Sequence, residues 1–113
     1  MNVLAAILLA STSLHVTVWP NGPDHAKQSY TLRCAPLGGN LPRRAAACRQ
    51  LARLKAPFAG TPKNLACTEI YGGPQEALVT GRFRGLLVRA RFNRRDGCEI
   101  ERWNRVAFLF PAA

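Results

Sequence analysis

The sequence predicts an antiparallel α+β fold: about five strands in one sheet, with one longer helix and one further helical turn packed on one side. Three observations lead there. Short apolar runs alternate with the period of a half-buried strand, only one stretch has helical periodicity, and the connections are of hairpin length. A chain of 113 residues supplies one modest core. Its four cysteines, Cys34, Cys48, Cys67 and Cys98, are an even count that fits two disulfides and so an oxidising compartment.

Leu14, Val16 and Val18 alternate with His15, Thr17 and Trp19 to give the first strand, which the turn-forming run Pro20-Asn21-Gly22-Pro23-Asp24 ends. Tyr30 to Arg33 reads as a second strand running into Cys34, and Ala35 to Asn40 as a loop. Pro42 to Leu54 turns helical, with Pro42 in the first turn, where its missing N–H costs nothing. Ala47, Cys48, Leu51 and Leu54 share the inner face, and Arg43, Arg44, Arg49 and Arg53 point outward. From Lys55 to Gly73 the prolines and glycines leave loop with one helical turn; a long irregular stretch in a small domain is usually functional. Ala77 to Phe92 forms two strands joined at Arg84-Gly85, with Val88, Ala90 and Phe92 on one face and Leu87, Arg89 and Arg91 on the other. Asn93 to Gly97 is a polar turn before Cys98, and Val106 to Phe110 is expected as a closing hydrophobic strand.

Met1 to Ala10 is apolar and small, and with Ser11-Thr12-Ser13 it resembles the h-region and cleavage zone of a secretory signal, although it lacks a basic n-region. Residues 1–13 are therefore read as a signal-like or disordered segment, with a buried first strand that begins early as the alternative, and 14–113 as the domain. No segment has the length of a transmembrane helix.

The net charge is +10, and arginine supplies most of it. Such a field attracts polyanions. The arginines are spread along the chain without a nucleic-acid-reading motif, so a solvated basic surface, able to steer toward an acidic partner, is the expectation, with no specific nucleic-acid partner. The cysteines lack a C-x-x-C pair and the two histidines, His15 and His25, lie far from them, which argues against zinc. No concentrated set of acids suggests an enzyme, and neither a cofactor nor a metal is expected.

The blocks Thr31-Leu32-Arg33-Cys34-Ala35-Pro36, Ala47-Cys48-Arg49-Gln50-Leu51, Cys67-Thr68-Glu69-Ile70-Tyr71, Gly81-Arg82-Phe83-Arg84-Gly85, Cys98-Glu99 and Val106-Ala107-Phe108-Leu109-Phe110, with Pro42 between the first two, carry a specific resemblance. In order and approximate spacing, from about Leu14 to Phe110, they resemble the Streptomyces-type subtilisin inhibitor family. The resemblance implies a five-stranded antiparallel sheet with helices on one side, disulfides Cys34–Cys48 and Cys67–Cys98, secretion, and a homodimer formed through the sheet. It also implies a serine protease as partner and a reactive bond two residues after the loop cysteine, at Glu69-Ile70. Ala66, Cys67, Thr68, Tyr71 and Gly72 would supply the flanking contacts.

Two departures from the family pattern bear on the target and the loop. A carboxylate, Glu69, stands where the family commonly has a long apolar or basic residue. Subtilisins prefer apolar groups there and trypsins need a cation, so the expected target is a glutamate-specific protease or a subtilisin whose pocket tolerates Glu. Gly72-Gly73-Pro74 is one residue longer than the family pattern and is expected to loosen the far side of the loop. The alternative to inhibition is a basic secreted protein that docks on anionic polymers.

Overall fold

The computed structural model describes residues 11–111; the signal-like residues 1–10 lie outside them. Five strands form one antiparallel sheet: β1 (Thr12–Trp19), β2 (Gln28–Cys34), β3 (Gly38–Gly39), β4 (Glu76–Phe83) and β5 (Leu86–Phe92), in the order β3-β2-β1-β4-β5. Two α-helices, α1 (Arg44–Ala52) and α2 (Gly97–Arg105), and a short 3-10 helix (Ala107–Leu109) complete the described elements.

Period-two alternation decides the two faces of the sheet. The register sets Val16 beside Tyr30 and Val79, Leu14 beside Leu32, Val79 beside Ala90, and Ala77 beside Phe92. These side chains share one face and, with Val18, meet Ala47 and Leu51 of α1 and Trp103 of α2 in a single core. The opposite face carries Ser13, His15, Thr31, Arg33, Arg82, Leu87, Arg89 and Arg91, all exposed. The Arg84-Gly85 hairpin holds both residues at positive φ, 51° and 81°. That is the twist a two-residue hairpin needs, and Gly85 adopts it freely.

The strand expected at Val106 to Phe110 is instead the 3-10 helix. Within this run Val106, Leu109 and Phe110 are the buried residues, a three-then-one spacing that belongs to a helical turn. Phe110 packs on Trp103 and Phe92, with ring centroids 4.6 Å and 5.4 Å away. The fifth strand is Gly38–Gly39, inside the stretch read as loop, where backbone pairing with Leu32 and Arg33 needs no side-chain period.

α1 is shorter than Pro42 to Leu54. Arg43 precedes it in a left-handed conformation with φ 56°, which leaves Pro42 outside the first turn. Of the inward residues expected, Ala47 and Leu51 are buried and Cys48 half-buried, while Leu54, also half-buried, lies beyond the end of the helix. β1 begins at Thr12, two residues before the apolar alternation starts, with Thr12 itself buried. The stretch from Lys55 to Gly73 contains no helix; its local bonds are isolated turns such as Leu65 N–H to the Pro62 carbonyl, 3.2 Å. α2, by contrast, is a full helix where only a turn and Cys98 were expected.

Both disulfides are formed, Cys34–Cys48 and Cys67–Cys98. The first ties β2 to α1. The second ties the long irregular segment to the first turn of α2.

Candidate functional site

Ala66, Thr68, Glu69, Ile70 and Tyr71 are all exposed, Ile70 by 59% and Tyr71 by 68%. Among the described residues Glu69, Ile70 and Tyr71 make no hydrogen bond, whereas the backbone on either side of them is fastened.

The entry is fixed by α2. Asp96 caps that helix, its carboxylate accepting from the Glu99 N–H at 2.9 Å, and Glu99 brings negative charge to the first turn. Helix formation sets the position of Cys98, and through the disulfide that of Cys67. The Gly97 N–H donates to the Thr68 carbonyl at 2.9 Å. Gly97 lies so close to Thr68 that a Cβ there would overlap its hydroxyl.

The exit is fixed by Arg94. The Gly72 N–H donates to the Arg94 carbonyl at 2.7 Å, and Arg94 Nε donates back to the Gly72 carbonyl at 3.1 Å. Arg94 Nη1 also donates to Asn104 Oδ1 at 3.0 Å. A Cβ on Gly72 would come within 2.8 Å of Ile100 Cδ1 and 3.1 Å of Arg94 Cβ. The expected loosening by Gly72-Gly73 is therefore not found at Gly72: the absent side chain allows close approach to α2, and both its backbone groups are bound.

All the residues singled out around Glu69 and Ile70 thus form one short projecting segment, gripped at Thr68 and Gly72 and free between. Arg94, Asp96, Gly97 and Asn104, which do the gripping, were not anticipated as site residues. The spacing Asp96-x-x-Glu99 was the available signal, because it marks a helix N-terminus immediately before Cys98.

The Cys67 and Cys98 sulfurs and an Asp96 oxygen lie within 4.8 Å of one another, but both sulfurs are used in the disulfide and offer no thiolate to a metal. A cavity of about 310 Å³ between α1 and the 3-10 helix is lined by Pro42, Arg43, Ala46, Ala47, Gln50, Ala107, Phe108 and Pro111. None of these is a nucleophile, a carboxylate or an imidazole, so the cavity lacks general acid–base groups. No helix among the described residues is long and apolar enough to cross a membrane.

Comparison with known proteins agrees with the geometry. A family model described as subtilisin inhibitor-like matches residues 10–94, from before β1 to the arginine that holds the loop exit. A search of curated proteins finds no match to the chain. The match spans most of the molecule, including the projecting segment and three of the four cysteines, and the chain belongs to the subtilisin inhibitor-like family, a family of protease inhibitors.

Proposed function

We propose that the protein is a secreted inhibitor that presents Glu69-Ile70 to a serine protease as a substrate-like bond. The observation that carries this reading is the double clamp: an exposed tripeptide between two anchored residues, Thr68 and Gly72. The protease serine attacks the Glu69 carbonyl, the bond to the Ile70 nitrogen breaks, and an acyl-enzyme forms with a free Ile70 amine. In an unanchored peptide that amine diffuses away and water completes hydrolysis. Here the acyl side stays tied through Thr68 and Cys67, and the amine side through Gly72 and Arg94. The amine remains at high effective concentration beside the ester, and resealing competes with hydrolysis. The clamp also orders the loop before binding, which reduces the entropy lost in the complex.

Glu69 would occupy the primary specificity pocket. Burying a carboxylate requires hydrogen-bond donors or a cation in that pocket, so the reading selects a glutamate-accepting protease over a trypsin-like one. Thr68 and Tyr71 would make flanking contacts, Tyr71 as an aromatic anchor. Titration against one subtilisin, one trypsin and one glutamate-specific protease tests this. Stoichiometric inhibition of the glutamate-specific enzyme, or of the subtilisin, is expected. Rapid digestion by these enzymes, or no effect on any of them, would refute it.

We further propose that the homodimer implied by the resemblance forms only where salt or a bound anion screens the sheet. Joining two copies through the open face would oppose Arg33, Arg82, Arg89 and Arg91 of one to those of the other, a like-charge cost at low ionic strength.

A further inference from the structure

The open face of the sheet has a charge pattern that protease inhibition does not use. Arg33 on β2, Arg82 on β4, and Arg89 and Arg91 on β5 are all exposed there. Both helices pack on the opposite face, so nothing among the described residues of one chain covers them; a dimer joined through this face would, and the inference concerns the monomer expected at low ionic strength. The three ion pairs among the described residues are Arg95–Glu76, Arg102–Glu99 and Arg105–Glu101, and none uses these four arginines. The acid sharing this face is Glu76, and Arg95 holds it at 2.7 Å.

Strand geometry spaces the cations. Arg89 and Arg91, two residues apart on one strand, stand about 7 Å apart, while Arg33 and Arg82 straddle β1 at about 10 Å. Arg82 sits beside Leu87, one step along β5 from Arg89, so the four describe a bent track across the sheet. Arg33 lies across Gly38, where a side chain would strike its guanidinium. Between the arginines lie Ser13, His15, Thr31 and Thr80, with the exposed Leu87 beside Arg82.

We propose that this face binds an anionic polysaccharide. Guanidinium forks pair bidentately with carboxylate or sulfate groups, and the intervening hydroxyls can exchange hydrogen bonds with neutral sugar hydroxyls. The spacing suits charges repeating every one or two sugar rings. Nucleic acid fits less well. Trp19 supplies the face's aromatic surface, half-buried at one end, whereas single strands need a series of stacking platforms; and no helix stands on this face to enter a duplex groove. The projecting loop leaves from the end of the sheet where Ala77 meets Phe92, beside Arg91. The proposal does not depend on the inhibitor reading.

The test is calorimetric titration of the oxidised protein at low salt with a heparin fragment of defined length, neutral dextran of similar size, and a thymidine oligonucleotide of equal charge. Two double variants lose the same net charge: Arg89→Ser with Arg91→Ser on the sheet, and Arg44→Ser with Arg49→Ser on α1. The expected result is binding of the heparin fragment and not of dextran, weakened at least about tenfold by the sheet variant and less than about twofold by the helix variant. Equal weakening by both variants would assign the binding to net charge and overturn the site. Tighter binding of the oligonucleotide would overturn the polysaccharide, and absence of heparin binding would overturn both.

Discussion

At the scale of single residues, Glu69 and Gly72 carry the most testable consequences. Glu69 is exposed and makes no hydrogen bond among the described residues, so replacing it should alter recognition without altering the fold. Glu69→Lys is expected to move inhibition from glutamate-accepting enzymes to trypsin-like ones, by at least about a hundredfold in the ratio of inhibition constants, since a pocket built for one charge leaves the other unpaired. An unchanged ratio would show that Glu69 does not enter the pocket. Gly72 is different because its missing side chain is structural. Gly72→Ala must push against Ile100 and Arg94, at a cost of about 1–3 kcal/mol by denaturant unfolding. It should also release the loop exit, seen as faster clipping by the target protease. The Cys67-Thr68-Glu69-Ile70-Tyr71 block was legible in the sequence because its residue types and spacing are local. Gly72 was misread as a loosening insertion because its reason is a neighbour on a helix more than twenty residues away.

At the scale of elements, the two disulfides should separate stability from function. Each removes entropy from the unfolded chain, worth about 2–4 kcal/mol, but only Cys67–Cys98 holds the loop. Replacing Cys34 and Cys48 by Ser should lower the unfolding midpoint and leave inhibition intact below it. Replacing Cys67 and Cys98 should lower the midpoint and convert the protein into a substrate, as competitive inhibition and chain analysis by mass spectrometry would show. α2 makes the second disulfide effective, and Asp96→Ala, which removes its cap, should cost about 1 kcal/mol in the denaturant midpoint.

The sequence made β1, β2, β4, β5 and the inner face of α1 readable because each keeps one period over several residues. It obscured α2, whose charges Glu99, Glu101, Arg102 and Arg105 suggest a solvated turn unless Ile100, Trp103 and Val106 are read at three-residue spacing. Val106 to Phe110 was ambiguous because a five-residue apolar run fits strand or helix, and packing on Phe92 decides it.

At the scale of the whole molecule, the chain presents three distinct surfaces. One sheet face builds the core against the helices, the other displays arginines that make no ion pair among the described residues, Arg82 donating to the Gly85 carbonyl at 3.1 Å, and the loop projects from the end of the sheet. A net charge of +10 resists self-association, so sedimentation velocity should show mostly monomer at low salt and a larger dimer fraction at high salt. The opposite trend would mean that the contact between copies is itself electrostatic and lies elsewhere.

The most direct test of the clamped loop is to approach the cleavage equilibrium from both sides. Intact protein, and protein already cut to expose an Ile70 N-terminus, are each incubated with a catalytic amount of the inhibited protease and followed by mass spectrometry. A gripped Glu69-Ile70 bond predicts that both samples converge on one mixture of intact and cut chains, with the cut chain resealed in part. Cleavage that runs to completion from the intact side, with no resealing from the other, would show that the loop is an ordinary substrate.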